Sequence, residues 1–262
     1  MKIQFIKMQS CGNDYIYIDY TDLESRPYIS EKDIVKMSSY HYGIGADGVV
    51  ILSRQNGKIF MEMFNSDGRE GNICGNALIC STMYLHKERN MPSSFNIFTK
   101  AGERKVSVLD KTVSVNMGCA RIVKRREKTI ADFFPCCERR PLHFVDVGNP
   151  HCVIEDASEE ETLMLSKYLE REGGVNVESV RIIGRKISVT VCERGSGVTL
   201  SCGSGAVAVA SVLFAKARFL GFENEEITLS FKGGTLCVFK DGDSYILKGE
   251  PSVVFYGTYS LD

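Results

Sequence analysis

The sequence predicts an α+β protein with two pseudo-symmetric domains, each a largely antiparallel sheet wrapped around a central apolar helix. Two observations support this fold class. The chain of 262 residues contains an internal repeat whose copies lie about 130 residues apart, which is the size of a domain and too long for a solenoid unit. In each copy, a Cys-Gly pair also comes shortly before an apolar helical run.

The first copy starts with alternating apolar and polar side chains at residues 58–64, a pattern that predicts a strand. Turn residues follow at 65–68. Cys74-Gly75 then opens a helical run that continues through Leu85. The sequence therefore predicts a strand, a turn and a buried helix in this order.

The second copy has the same order, with an alternating strand pattern at residues 186–191 and a turn at 193–197. Cys202-Gly203 precedes the apolar run 206–215. The cysteine comes nine positions after the first turn residue in both copies. Many α+β domains contain a strand, a turn and a helix, but the shared Cys-Gly position favours a duplication over this simpler explanation.

The repeat continues into a predicted β-hairpin in each copy. The strands are expected at residues 105–109 and 112–115 in the first copy, and at 235–239 and 244–247 in the second. Asp-Gly at 241–242 is a strong hairpin turn signal.

These patterns predict an N-terminal domain of residues 1–117, completed by a final strand at about 251–262. Residues 118–250 form the predicted C-terminal domain. Residues 119–140 are interpreted as the connection that enters it.

Two helices are predicted outside the repeated core. Ser30 has the position of an N-cap before an apolar pattern. Residues 158–173 contain five glutamates before the final glycine and predict a solvated surface helix.

Composition excludes several classes of function. With 32 basic and 33 acidic side chains, the net charge of −1 provides no field to attract nucleic acid or a membrane. The apolar run 206–215 is too short to span a bilayer. The partner expected from the sequence is therefore a small molecule, whereas the choice between monomer and homodimer stays open.

The chain has ten cysteines but no Cys-x-x-Cys pair, and its four histidines lack metal-ligand spacing. We therefore expect neither a metal site nor another cofactor. The N-terminus has no apolar signal region, so we expect a reducing cytoplasm in which thiols are the default state. Five cysteines in apolar contexts are interpreted as small core residues: Cys80, Cys119, Cys152, Cys192 and Cys237.

Cys74 and Cys202 occupy helix starts, where unpaired amides and the helix dipole stabilise negative charge. This placement predicts a lowered thiol pKa and an anion-binding site at each helix. Two such thiols, one on each side of a cleft between domains, suit proton transfer at a carbon acid. A thiol-disulfide redox couple and an amino-acid-binding protein are the alternatives.

Several motifs in matching order resemble the diaminopimelate epimerase family, and together they cover the chain from Phe5 to about Val254. The motifs are Lys7-Met8 with Gly12-Asn13-Asp14, residues 43–48, residues 64–68, Cys74-Gly75-Asn76, residues 148–152, Glu193-Arg194-Gly195 and residues 199–206. The resemblance implies a cofactor-independent epimerase that interconverts L,L- and meso-2,6-diaminopimelate on the route to lysine and peptidoglycan.

The resemblance also implies roles for individual residues. Cys74 and Cys202 match the base and acid positions. The segments that hold the carboxylate at the reacting centre match Gly75, Asn76, Gly203 and Ser204. The positions that hold the distal amino-acid end match Asn65, Asn149, Asn176, Glu193 and Arg194. Asn13 matches a further binding position, and His151 and Glu193 match residues that influence the ionisation of the thiols.

Some residues depart from the family pattern. Ala77-Leu78-Ile79-Cys80 stands where Gly-x-Arg-Cys is usual, and Val198 stands where a glutamate is usual. Related two-cysteine enzymes racemise other amino acids, so a histidine or lysine racemase stays open. The Glu193-Arg194 pair favours diaminopimelate, because a second amino-acid end needs both charges.

Overall fold

The computed structural model describes residues 2–123, 128–217 and 226–261. The chain divides into two compact units. Unit 1 is Met1–Asn116 with Lys248–Asp262, and unit 2 is Met117–Leu247. None of the helices in the described ranges is long and apolar enough to cross a membrane.

Unit 1 is built mainly from strands, with two helices. In chain order its elements are β1 (Lys2–Ser10), β2 (Asn13–Tyr20), α1 (Glu31–Ser38), β3 (Gly48–Gln55), β4 (Lys58–Asn65), β5 (Glu70–Gly71), α2 (Gly75–Glu88), β6 (Ser94–Thr99), β7 (Gly102–Leu109), β8 (Thr112–Gly118) and, from the end of the chain, β18 (Pro251–Ser260). Strand β8 continues across the boundary into unit 2.

Unit 2 has the same balance of elements. They are β9 (Arg121–Ile122), a short 3₁₀ turn (Ile130–Asp132), β10 (Leu142–Asp146), β11 (Pro150–Glu155), α3 (Glu159–Arg171), β12 (Asn176–Ile183), β13 (Lys186–Glu193), β14 (Gly197–Thr199), α4 (Gly203–Ala217), β15 (Ile227–Phe231), β16 (Gly234–Asp241) and β17 (Ser244–Gly249).

The pairing of strands follows the same sequence in both units. In unit 1, β1–β2 is antiparallel, β2–β3 parallel, β3–β4 antiparallel, β4–β6 parallel and β6–β7 antiparallel. In unit 2, the corresponding pairs β10–β11, β11–β12, β12–β13, β13–β15 and β15–β16 alternate identically. Each parallel pair is connected through a helix, as parallel strands require a crossover.

The predicted strand at residues 58–64 is β4, and the predicted strand at 186–191 is β13. The four hairpin strands expected from the sequence are β7, β8, β16 and β17. Ser30 caps α1 through a capping box with Asp33, as its position predicts. Of the expected connection at residues 119–140, positions 124–127 lie outside the described residues.

The cores explain why these segments fold as they do. Ile3, Ile16, Val49 and Met37 belong to one buried cluster in unit 1, formed by strands and α1. In unit 2, α3 is exposed on one face only, because Leu165 and Leu169 pack into a second buried cluster. Apolar side chains at helical and alternating spacing therefore hold each unit together.

Two helices differ from α1 and α3 because they have no exposed face along most of their length. Residues 75–85 of α2 and residues 203–213 of α4 are all buried. Cys80, Cys152 and Cys192 are buried core thiols as predicted. The same interpretation was wrong for Cys119, which is exposed because it follows β8 in a connecting segment, and Cys237 is only half-buried.

Candidate active site

Cys74 is the N-cap of α2, with extended backbone angles of φ −135° and ψ 121°. Its sulfur accepts the backbone N–H of Ala77 at 3.4 Å. The Sγ atom lies 3.4 Å from Oδ1 of Asn13, to which the thiol donates. A cysteine therefore takes the place that Ser, Thr or Asp usually has at a helix start, with its sulfur over the first-turn amides.

Asn13 is held in turn by a carboxylate. Its Nδ2 donates to Oδ2 of Asp47 at 2.8 Å, and the backbone N–H of Asp14 donates to the same oxygen at 3.1 Å. Burial raises the pKa of Asp47, and the nearby charge of Asp14 also raises it, against the effect of these hydrogen bonds. Since the amide group faces Asp47, the carbonyl oxygen of Asn13 must face Cys74.

A buried lysine completes this corner of unit 1. Lys7 contacts the carboxylate of Asp14 and the carbonyl oxygen of Gly45 through its ammonium group. The hydroxyl of Tyr40 lies 3.5 Å from the other oxygen of Asp14. Burial, followed by the charges of Asp14 and Asp47, raises the pKa of Tyr40 to about 12.

Cys202 stands directly before α4 and is 7% exposed. Its Sγ accepts the backbone N–H of Gly205 at 3.3 Å and lies 3.4 Å from Oγ of Ser204. The position at the helix start is therefore equivalent to that of Cys74.

The predicted lowering of the Cys202 pKa was wrong. Burial raises this pKa well above its ordinary value, and the charges of Glu193 and Glu178 raise it further. The hydrogen bonds from Ser204 and Gly205 act in the opposite direction but are smaller effects. A desolvated thiol beside two carboxylates keeps its proton, so Cys202 is suited to donate one.

Glu193 ends β13 and accepts the hydroxyl of Thr199 at 2.6 Å. Burial raises the pKa of Glu193, and the charge of Glu178 raises it further, whereas hydrogen bonds from Thr199 and Cys202 lower it. The carboxyl group thus accepts a hydrogen bond from the Cys202 thiol.

His151 is wholly buried in β11. Its Nδ1 lies 2.7 Å from Oε1 of Glu178, and its Nε2 lies 3.1 Å from Oδ1 of Asn149. Nδ2 of Asn149 donates to Oγ of Ser204 at 3.4 Å, and this hydroxyl contacts Cys202. We call this connected set of Glu178, His151, Asn149, Ser204 and Cys202 the Cys202 network.

Asn176 and Arg194 meet at the ends of β12 and β13. Oδ1 of Asn176 accepts the backbone N–H of Arg194 at 2.9 Å. The Arg194 side chain is exposed and lies against Gly174, where a Cβ atom would overlap with its Cδ. Arg194 therefore has a guanidinium group available to an anion in solution.

The remaining expected site residues are placed by local structure. Gly75 and Asn76 are buried in the first turn of α2, and Gly203 is buried at the start of α4. Asn65 is exposed at the end of β4, where its backbone N–H donates to Arg69 O at 2.9 Å. In unit 1 the structure connects Cys74 directly with Asn13, and in unit 2 it joins Cys202 to Ser204, Asn149 and His151.

Two residues of these networks were missing from the sequence-based site. Glu178 lies two positions after Asn176 in β12, so both side chains are on the same face of the strand. The alternation of side chains in a strand could therefore have identified Glu178 from the sequence. Asp47 was visible only as part of a loop motif. Its contact with Asn13 spans 34 positions of sequence, and no local pattern reports such a contact.

The arrangement offers two thiols at helix starts, first-turn amides suited to a carboxylate, and an exposed guanidinium. Within the part of the chain that the structure describes, no group of three or more His, Cys, Asp or Glu side chains could hold a metal ion. Thiols placed in this way can exchange protons with a carbon acid.

Comparisons with known proteins agree with this chemistry. The sequence profile described as diaminopimelate epimerase matches residues 5–123 and 143–254. The diaminopimelate epimerase of Bacillus velezensis is 32% identical over 98% of this chain and 99% of its own length. That of Leptospira biflexa is 32% identical, with 100% of both chains covered.

Solved structures share the two-domain fold at low sequence identity. A predicted epimerase of Pseudomonas aeruginosa has a TM-score of 0.76 at 13% identity, covering 99% of this chain and 100% of its own. A phenazine biosynthesis protein of the PhzF family from Bacillus anthracis has a TM-score of 0.74 at 13% identity, with both chains covered completely. A hydroxyproline epimerase of Agrobacterium vitis has a TM-score of 0.72 at 13% identity over 100% and 92% of the two chains.

Proposed function

Because the chain belongs to the diaminopimelate epimerase family, we propose that it interconverts L,L- and meso-2,6-diaminopimelate, a step that supplies lysine and peptidoglycan synthesis. The observation that carries the proposal is the pair of cysteines at equivalent helix starts in the two copies of the repeat, each with a first-turn N–H on its sulfur. The reducing cytoplasm suits an enzyme that depends on thiols, and we place the reaction there.

The reaction inverts one α carbon by two proton transfers. One thiolate takes the α proton, which breaks the Cα–H bond and forms S–H, and the opposite thiol gives its proton to the other face of the carbon. In the direction where Cys74 is the base, Cys202 is the acid, and the raised pKa of Cys202 supports its protonated resting state. In the reverse direction the two roles exchange.

The carboxylate at the reacting carbon gains negative charge as the proton leaves. First-turn amides stabilise this charge because they are already oriented and lack helical partners. We assign this task to Gly75, Asn76, Gly203 and Ser204, with Asn13 as a further binding residue beside Cys74. No metal ion or pyridoxal phosphate is needed for this mechanism.

The distal amino-acid end of the substrate has one carboxylate and one ammonium group. The guanidinium of Arg194 suits the carboxylate, whereas the carboxylate of Glu193 and the amide oxygens of Asn65, Asn149 and Asn176 suit the ammonium group. This pairing of opposite charges on neighbouring residues favours diaminopimelate over an amino acid with an uncharged side chain.

We also infer that the two units are the two domains of the duplicated architecture, with the final strand β18 returning to the first domain. The continuous burial of residues 75–85 and 203–213 supports a sheet wrapped around α2 in one domain and around α4 in the other. The identical alternation of strand pairing in both units supports their common origin.

The test is the exchange of substrate hydrogen with solvent. Purified protein without added cofactor is incubated in D₂O with L,L-diaminopimelate, and separately with L-lysine and L-histidine, and deuterium at the α carbon is measured by mass spectrometry. We expect exchange and inversion of diaminopimelate. Exchange only of lysine or histidine would instead identify a related racemase, and binding without any exchange would identify a binding protein.

Single variants test the two-thiol mechanism. Cys74→Ala and Cys202→Ala should each abolish epimerisation, whereas Cys136→Ala, which changes an exposed thiol, should have no effect. Full turnover in either of the first two variants would rule out the mechanism.

A further inference from the structure

Glu178 is a carboxylate with no exposed surface in the middle of β12, and no motif singled out in the sequence includes it. A buried carboxylate is costly unless hydrogen bonds and opposite charge compensate it. Oε1 contacts Nδ1 of His151 at 2.7 Å. Oε2 has no hydrogen-bond partner among the described residues, so the compensation is incomplete. A buried carboxylate with one oxygen left unpaired points to a role beyond packing.

The fold places Glu178 of β12 beside the helix start that carries Cys202. Strands β11 and β12 are parallel, with His151 opposite Asn176 and Val153 opposite Glu178. The first turn of α4 lies over the carboxylate. A Cβ atom at Gly205 would be only 2.6 Å from Oε1 of Glu178. The absence of a side chain at position 205 therefore allows the carboxylate to approach the helix start that carries Cys202.

The Cys202 network connects this carboxylate to the sulfur through successive side-chain contacts. Ser204 accepts a hydrogen from Nδ2 of Asn149, so Oδ1 of the same amide is directed towards Nε2 of His151. A carbonyl oxygen can only accept, so Nε2 must carry a proton. One hydrogen lies between Nδ1 and Oε1 of Glu178, as their hydrogen bond of 2.7 Å requires. The orientation of the His151 ring thus determines the orientation of the Asn149 amide. The amide in turn orients the Ser204 hydroxyl that contacts Cys202.

We propose that Glu178 is a positioning residue for the proton transfer at Cys202, acting through His151, Asn149 and Ser204. The inference deepens the proposed function and rests on it for the assignment of Cys202 as a catalytic thiol. By binding Nδ1, Glu178 directs the Nε2 atom of His151 towards Asn149. The negative charge of Glu178 also adds to that of Glu193 beside the thiol. The titratable groups around it are His151 from β11, Glu193 from β13 and Cys202 before α4.

The variant Glu178→Gln tests the role with little change of shape. The amide can present either its oxygen or its nitrogen to Nδ1, so it no longer specifies the hydrogen-bond direction. We expect kcat to fall by about tenfold to a hundredfold, as for other residues that orient a reacting group from behind. KM should change by less than about threefold, because the distal binding residues are unchanged.

The negative charge of Glu178 should also affect the pH dependence of kcat/KM. Glu178 raises the pKa of Cys202, so its neutralisation lowers that pKa and moves the alkaline limb of kcat/KM to lower pH. The matched control is Ser179→Ala in the same strand, which removes a buried hydrogen bond of 2.7 Å to Ala157 O. It should lower the urea concentration at the midpoint of unfolding without moving the limb. An unshifted limb in Glu178→Gln would overturn the proposal.

A measurement on the unaltered protein keeps the proposal testable if Glu178→Gln fails to fold. Nitrogen NMR of the histidine rings, with His151 assigned by its loss in His151→Asn, reports which ring nitrogen is protonated. We expect a proton on Nε2 across the active pH range, and a bare Nε2 would contradict the network. This readout does not depend on the substrate. A protein that exchanges another amino acid would therefore refute the proposed substrate without refuting the role of Glu178.

Discussion

Asn13 accepts the thiol hydrogen of Cys74 on its Oδ1 at 3.4 Å, and in the other copy of the repeat Ser204 contacts Cys202 at the same distance. The two partners differ chemically. A carbonyl oxygen only accepts, whereas a hydroxyl both donates and accepts. In both units a carboxylate holds an asparagine amide near the thiol. Asp47 binds Asn13 directly, whereas Glu178 acts on Asn149 through His151.

Replacement of Asp47 by Asn should disturb Cys74 through Asn13. The new amide can donate or accept, so Asn13 is no longer required to direct its oxygen to the thiol. We expect epimerisation to slow by about tenfold or more, in the range found for residues that orient a reacting group. Asp67→Asn, which changes an exposed carboxylate in the turn after β4, is the control and should leave the rate unchanged. Equal rates in Asp47→Asn and the parent would contradict the orienting role.

The pH dependence of kcat/KM should shift in opposite directions in two variants around Cys202. Ser204 lowers the pKa of this thiol and Glu193 raises it. Ser204→Ala should therefore move the alkaline limb to higher pH, and Glu193→Gln should move it to lower pH. Steady-state rates measured across pH check both shifts. Shifts of the same sign would show that the limb belongs to another group.

Arg194→Ala tests the distal part of the site. Loss of hydrogen bonds to a charged group costs about 1.5–3 kcal/mol, which corresponds to roughly tenfold to a hundredfold in KM for diaminopimelate. An amino acid without a distal carboxylate should be affected little. Arg185→Ala, in the exposed turn between β12 and β13, is the matched control. Equal losses for long and short substrates would remove Arg194 from the distal site.

Much of the fold was predictable because its signals are local. Alternation located β4 and β13, and the Asp241-Gly242 turn located the hairpin of β16 and β17. The family motifs likewise identified Asn149 and Ser204, whose side chains contact each other across 55 positions of sequence.

The environment of the thiols was not predictable from those signals. A helix start alone suggested a lowered pKa for Cys202, but the burial and the two carboxylates that raise it depend on long-range packing. Glu178 reaches His151 across 27 positions and Asp47 reaches Asn13 across 34. For Cys119, an apolar sequence context predicted burial, but the residue lies in the connecting segment after β8, where it is exposed.

Asp19 provides a test of stability that is independent of the reaction. Its carboxylate is 4% exposed and accepts hydrogen bonds from Tyr84 at 2.7 Å, from Arg89 at 2.5 Å and from Thr21 at 2.7 and 2.8 Å. Burial raises the pKa of Asp19, but the hydrogen bonds outweigh it and leave the pKa below its ordinary value. Asp19→Asn should cost about 1.5–3 kcal/mol at pH 7, the usual range for lost hydrogen bonds to a charged group.

The sign of the pH dependence follows from the lowered pKa. The ionised carboxylate contributes stability above its unfolded pKa of about 3.9, and this contribution is lost as pH falls through the lower folded value. Urea unfolding from pH 7 to pH 3 should show the parent and Asp19→Asn converging at acid pH. Asp22→Asn is the control, because Asp22 contacts the same arginine at 2.7 Å but is 66% exposed. It should cost no more than about 1 kcal/mol. Parallel curves for the parent and Asp19→Asn would show that the Asp19 charge does not stabilise the fold.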